Sequence, residues 1–154
     1  MKTENKKMPS QQFHILLADD DDDDCFFFKD ALKEIRADVQ LGMVNNGDDL
    51  WDYLHKHESK LPDVVFLDLN MPGKTGTECL EKIRGNKKFR DLRIVIYSTS
   101  GVDKDVDASF RYGANVYMKK PTEFIKLKKL INDVIEMDWQ KHAPRSGKDN
   151  FLMR

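Results

Sequence analysis

Val64-Val65-Phe66-Leu67-Asp68-Leu69-Asn70-Met71-Pro72-Gly73 is the stretch that decides the fold. Four apolar residues closed by a turn-forming segment read as a short strand buried on both faces. Asp68 then stands where that strand leaves the sheet. An ionised group is rarely kept there without a reason, and open α/β sheets bind their ligands in the crevice beyond the carboxyl ends of the strands.

Outward from this strand the chain alternates. Residues 13–18 (Phe-His-Ile-Leu-Leu-Ala) read as a first strand, and residues 23–36 as a helix with Cys25, Phe28, Ala31, Leu32 and Ile35 on one face. Residues 39–44 form a second strand, followed by an Asn45-Asn46-Gly47 turn and a helix over 48–57. After the Asp68 strand come a helix over 77–84, a strand over 92–97, a helix over 103–112, a strand over 115–119 and a long helix from Thr122. Five βα units predict an α/β protein with a doubly wound, five-stranded parallel sheet of order 2-1-3-4-5, with helices on both faces. Residues 12–139 make the domain. Residues 1–11 and 140–154 read as loose tails, although Phe151, Leu152 and Met153 give the second one apolar residues that can dock on the domain, on a second copy or on nothing.

Composition sets the class. With 154 residues, 40% of them hydrophobic and 34% charged, the chain is an ordinary globular domain long enough to bury a core. No apolar run approaches the roughly 20 residues of a membrane-spanning helix, and the polar, lysine-bearing start lacks the apolar segment of a signal peptide. A cytoplasmic protein is expected. A formal net charge of −1 gives no global attraction to nucleic acid. Cys25 and Cys79 have no metal-ligand spacing and read as reduced core thiols. His14, His55, His57 and His142 read as surface residues, and Trp51 and Trp139 as packing or amphipathic surface.

The polar residues at the strand ends carry the chemistry. Strand one runs into six consecutive aspartates, Asp19 to Asp24, strand three ends at Asp68, strand four at Ser98-Thr99-Ser100, and strand five at Lys119-Lys120-Pro121. All fall on one edge of the sheet. Strands one and three are neighbours where the order reverses, so the first aspartates and Asp68 converge. Clustered carboxylates are tolerable when a cation sits among them, and oxygen ligands without His or Cys favour Mg²⁺. Lys120 offers a further positive charge to a phosphoryl oxygen, and the Ser98 hydroxyl a donor to another.

These residues resemble the receiver domain of two-component response regulators, the CheY-like variety of the flavodoxin-like fold. Four elements carry the likeness over about residues 12–137: Ile-Leu-Leu-Ala-Asp19-Asp20, Phe-Leu-Asp68-Leu-Asn-Met-Pro-Gly, Ile-Val-Ile-Tyr-Ser98-Thr and Tyr117-Met-Lys-Lys120-Pro121. The intervals from Asp68 to Ser98 and from Ser98 to Lys120 also match those of the family. The resemblance implies that Asp68 is a nucleophile taking a phosphoryl group from the phosphohistidine of a sensor histidine kinase or phosphotransfer protein. It implies Mg²⁺ held by Asp19, Asp20, Asp68 and the Asn70 main-chain carbonyl, with Asp19 acting through water. Ser98 and Lys120 would bind the phosphoryl oxygens, and the Lys120–Pro121 bond would be cis. Tyr117 would be the aromatic switch, turning inward as Ser98 moves and altering the surface of the fourth helix, fifth strand and last helix for a downstream protein effector. The implied protein is a stand-alone phosphoacceptor, a monomer or weak dimer that catalyses its own phosphorylation and dephosphorylation without being a classical turnover enzyme.

Other readings stand beside this one. Asp21 to Asp24 read as a solvated first helical turn favoured by the macrodipole, and a slip of the cation pair to Asp20 and Asp21 remains open. Tyr117 alone reads as packing. Thr99 adds bulk and a hydroxyl where many members have a small residue, and Arg93 stands where proline often opens the fourth strand. Lys119, Lys126, Lys128 and Lys129 give the last strand and helix a basic character, suited to an acidic partner or simply to solvent. An alternative function is a Mg²⁺-dependent phosphatase with an aspartyl nucleophile, although Asn70 stands where such enzymes carry a second acid. A nucleic-acid binder lacks both net basic charge and motif.

Overall fold

The computed structural model describes residues 12–153. Its order is β1 (His14–Ala18), α1 (Asp22–Ile35), β2 (Gln40–Val44), α2 (Gly47–Lys56), β3 (Val64–Leu67), α3 (Gly76–Arg84), β4 (Ile94–Ser98), α4 (Asp103–Arg111), β5 (Val116–Lys119), α5 (Phe124–Ile135), a 3₁₀ turn (Trp139–His142) and β6 (Leu152–Met153). All strand pairs are parallel, in the order β2-β1-β3-β4-β5-β6. The expected 2-1-3-4-5 sheet is therefore present, extended by one short strand. The segment after residue 140, expected to be loose, supplies that strand. Its Phe151 is buried beside β5, so apolar burial outweighs the cost of ordering the segment.

Alternation along the strands sorts two core layers. Ile15, Leu17, Phe66 and Tyr97 face Phe28 and Leu32 of α1 and Leu127 and Ile131 of α5. Leu16, Leu67 and Ile96 face Leu50 and Leu54 of α2 and Leu80 and Ile83 of α3. The helix starts follow sequence signals. Asp21 caps α1 by accepting from the Asp24 N–H at 3.0 Å, Asn46 caps α2 through the Asp49 N–H at 2.7 Å, and Thr75 and Glu78 form a capping box on α3. No helix of the described residues is long and apolar enough to cross a membrane.

Two expectations are corrected here. His14 is buried, not a surface residue, because β1 is covered on both faces; its Nε2 lies 2.7 Å from the Tyr53 hydroxyl. No peptide bond among the described residues is cis, so Lys120–Pro121 is trans. Trans is the lower-energy isomer of an X–Pro bond, and the Lys120 side chain reaches the acids without a change of isomer.

Arg84 ties the lower layer together. Its guanidinium donates to the carbonyls of Gly113 at 2.9 Å, Arg90 at 2.8 Å and Leu92 at 2.7 Å, and to Asn115 Oδ1 at 3.0 Å. Asn115 in turn donates to the His142 carbonyl at 2.9 Å, linking the 3₁₀ turn to the same knot. Removing the guanidinium leaves partly buried carbonyls without a donor, which costs about 3 kcal/mol. Arg84→Met should therefore lower the unfolding free energy by about that amount, seen as a lower urea midpoint at an unchanged slope, whereas an unchanged midpoint would mean that water replaces these bonds freely.

Candidate functional site

The site forms where β1, β3 and β5 run out of the sheet. Backbone pairing persists one residue beyond the strands, with the Asp19 N–H donating to the Val44 carbonyl at 3.0 Å and the Asp68 N–H to the Ala18 carbonyl at 2.9 Å. This fixes the two acids side by side. Asp19 and Asp68 are buried, Asp20 is exposed, and one carboxylate oxygen from each of the three lies within 4.8 Å of the others. The pairing register brings Asp19 and Asp20 to Asp68, while the Asp21 side chain caps α1.

Lys120 projects from the end of β5 into this cluster. Its Nζ lies 2.8 Å from Asp19 Oδ2, 2.8 Å from Asp24 Oδ2 and 3.4 Å from Asp68 Oδ2, and its side chain is only 7% exposed. It also sits 5.1 Å from the centroid of the Tyr97 ring. Burial alone would lower the ammonium pKa, but the adjoining carboxylates of Asp19 and Asp24 override it and hold the lysine protonated well above neutrality. Burial pushes the Asp19 carboxyl up to about 6, against the opposing pull of Lys120 and the Asp21 N–H. Asp19 Oδ2 is buried and meets the lysine as an ionic contact without a directed hydrogen bond. Three converging carboxylates with an oxygen so poorly satisfied, and no nitrogen or sulfur ligand among them, fit a hard divalent cation such as Mg²⁺.

Ser98 ends β4 beside β3 and β5, wholly buried. Its Oγ accepts from the Ser100 N–H at 3.1 Å, and its carbonyl from the Lys120 N–H at 2.7 Å. The Asn70 N–H donates to Asp68 Oδ1 at 3.1 Å and fixes the carboxylate's orientation. Tyr117 is already inside, with no exposed surface and its hydroxyl donating to the Ser100 carbonyl at 2.8 Å. The inward turn expected of this ring therefore has no outward starting point in this structure. Asp105 accepts from the Ser100 hydroxyl and anchors the same loop to the first turn of α4.

Two residues of the site were not singled out from the sequence. Asp24 was read as one of four solvated acids, yet it is a direct ion-pair partner of Lys120. Gly76 opens α3 against the main chain of Asp68: a Cβ there would meet the Asp68 carbonyl oxygen at 2.5 Å and the Leu69 Cα at 2.7 Å. Its place directly after the Thr75 cap, where a side chain is usually tolerated, was the available signal for it. The basic residues of the last helix are partly neutralised, Lys128 by Glu34 at 3.1 Å and Lys129 by Asp133 at 2.9 Å.

Neither thiol is built for reactivity. Burial, with the charges of Asp19 and Asp22, pushes Cys25 up to about 11, and burial raises Cys79. Two units above an ordinary thiol leave roughly a hundredfold less thiolate at neutral pH. Iodoacetamide at pH 7.5 should modify Cys25 roughly a hundredfold more slowly in the folded chain than in urea, and equal rates would contradict the burial assigned to it.

A family model described as the response regulator receiver domain matches residues 15–132. The chain is 33% identical over 135 residues to the 3′,5′-cyclic-nucleotide phosphodiesterase regA of Dictyostelium discoideum, covering 87% of the chain but only 17% of that relative. Among solved structures, the phosphorylated cyanobacterial phytochrome response regulator RcpA superposes with a TM-score of 0.75 at 26% identity, over 86% of this chain and 97% of that one. The Mn²⁺-bound form of the response regulator Rcp1 gives 0.70 at 28% identity, over 88% and 96%.

Proposed function

The chain belongs to the response regulator receiver family of two-component signalling, and on that premise we propose that Asp68 is its phosphoacceptor and that Mg²⁺ is its cofactor. The observation that carries this reading is the convergence of Asp19, Asp20 and Asp68 on one point with the Lys120 ammonium against them. Asp20, Asp68 and the Asn70 carbonyl, with Asp19 acting through water, would hold Mg²⁺, which would supply charge neutralisation for a phosphoryl group. That the similar response regulator Rcp1 has a Mn²⁺-bound form supports a divalent ion as cofactor here.

The protein's own residues do the rest. The Oδ2 of Asp68, on the Lys120 side of the carboxylate, attacks the phosphorus of a phosphohistidine in line, the P–N bond breaks, and the imidazole leaves with a proton from solvent. The Asn70 N–H keeps the other oxygen turned away from the attack. Lys120 shifts from Asp19 toward the new phosphoryl oxygens, and the Ser98 side chain rotates to donate its hydroxyl to another, moving its Oγ away from the Ser100 N–H. Loss of that bond loosens the loop that holds the Tyr117 hydroxyl, which is how the new charge reaches the α4-β5-α5 face and a downstream protein effector. The phosphoryl donor is a sensor histidine kinase or phosphotransfer protein of the cytoplasm. It meets the site beside the exposed Phe26 of α1, where a cleft of about 640 Å³ opens between α1, β2 and α2.

The test is incubation of purified protein with acetyl phosphate and Mg²⁺. Stoichiometric, hydroxylamine-labile phosphoryl incorporation is expected. Multiple turnover of a phosphomonoester without a stable adduct would favour an aspartyl phosphatase instead.

A further inference from the structure

The α4-β5 edge already carries an occupant, residues 148–153 of the same chain. β6 adds to β5 in parallel, with Tyr117 opposite Leu152 and Met118 opposite Met153, and the Tyr117 N–H donates to the Phe151 carbonyl at 2.8 Å. The Phe151 ring is 3% exposed, with its centroid 5.2 Å from that of Phe110 on α4 and 6.3 Å from that of Tyr117. Leu152 packs against one core layer and Met153 against the other. Lys148 pairs with Asp107 of α4 at 2.6 Å. An aromatic in a cleft, a strand on a sheet edge and one ion pair are the parts of a peptide-docking site of the strand-addition kind.

This edge is wired to the phosphoryl site. The Ser98 Oγ accepts from the Ser100 N–H at 3.1 Å, the Ser100 carbonyl accepts from the Tyr117 hydroxyl at 2.8 Å, and the Tyr117 N–H reaches the Phe151 carbonyl at 2.8 Å. A Ser98 side chain that rotates toward a phosphoryl oxygen carries its Oγ away from the Ser100 N–H and breaks the first link, and the tether on Tyr117 slackens under the ring of Phe151. Burial favours one tight arrangement of these rings, so a shift at Tyr117 changes the fit of Phe151 as a step.

We propose that the β5 edge with the α4 cleft is a binding surface for an extended partner segment bearing a basic residue followed by an aromatic and two aliphatic residues. Residues 148–153 occupy it as a built-in competitor that phosphorylation of Asp68 releases. The release step rests on the phosphoacceptor reading; the occupancy does not. The partner's chemistry is that of the segment now seated there: Lys148 for Asp107, Phe151 for the cleft, Leu152 and Met153 for the edge.

The test uses the full chain and a fluorescein-labelled peptide of residues 145–153. In the absence of any activator, Phe151→Ala and Lys148→Glu should each bind the peptide at least tenfold more tightly than the parent, because each weakens the resident segment. Lys148→Glu leaves the buried ring in place and guards against misfolding of the first variant. Equal binding by parent and both variants would overturn the occupancy. With Mg²⁺ and beryllofluoride the parent should gain at least tenfold in peptide affinity and the Tyr117 amide should exchange at least tenfold faster, neither of which Asp68→Asn should show. If acetyl phosphate labels Asp68 while peptide affinity and Tyr117 exchange stay unchanged, the coupling is wrong. If Asp68 is never labelled, the phosphoacceptor reading fails and the release step with it, while the comparison without activator still decides the occupancy. A dimer whose last strand is exchanged between copies would also overturn the proposal, since the occupant would then be a second chain.

Discussion

Asp68→Asn should abolish Mg²⁺-dependent labelling from acetyl phosphate altogether while leaving the fold intact and slightly more stable. The amide is nearly the same size, so the turn from β3 to Asn70 keeps its geometry. It lacks the anionic oxygen that attacks phosphorus, so no acyl phosphate forms. Asp19, Asp20 and Asp24 remain around a single lysine, and removing the fourth negative charge relieves repulsion worth about 1 kcal/mol in the absence of a divalent ion. Labelling and a urea melt on the same preparation check both halves. A variant that labels normally would place the phosphoryl group elsewhere, and one that unfolds would mean that the Asp68 carboxylate is structural.

Lys120→Met has the larger effect on stability. The methionine fills the same channel beside Tyr97 but removes the positive charge from among Asp19, Asp24 and Asp68. Breaking a buried ion pair by deleting one partner costs about 3 kcal/mol, because the surviving carboxylates stay buried without compensation. The loss should be partly regained in millimolar Mg²⁺, since a divalent ion among the acids replaces the lost charge. Urea midpoints with and without Mg²⁺ measure this directly, and the labelling rate should fall at least tenfold with the loss of charge at the phosphoryl oxygens. A midpoint that ignores Mg²⁺ would argue that these acids do not form a cation site.

Much of the site could be read from the chain because strand ends are marked twice, by the close of an apolar run and by the turn residue after it. Asp19, Asp68, Ser98 and Lys120 each follow such a run, and parallel topology then brings them to one edge. Asp24 escaped the same logic. In six identical residues nothing distinguishes one from the next until the rotation of α1 turns the third helical residue toward Lys120. His14 was misjudged because a histidine in an apolar strand looks polar, whereas its ring finds the Tyr53 hydroxyl across the layer. β6 was invisible to periodicity: two strand residues carry no pattern, and Phe151 gains its meaning only from the cleft between Phe110 and Tyr117. The trans Lys120–Pro121 bond differs from the family expectation, with an isomer preference of only about 0.5–1 kcal/mol separating the two.

The central claim is tested most directly by locating the phosphoryl group chemically. Protein treated with acetyl phosphate and Mg²⁺ is reduced with borohydride, which converts an aspartyl phosphate to homoserine, and the product is sequenced by mass spectrometry. Homoserine at position 68 and at no other aspartate is the predicted result. Homoserine at Asp20 or Asp24 with an unmodified Asp68, or no homoserine despite phosphoryl incorporation, would contradict it.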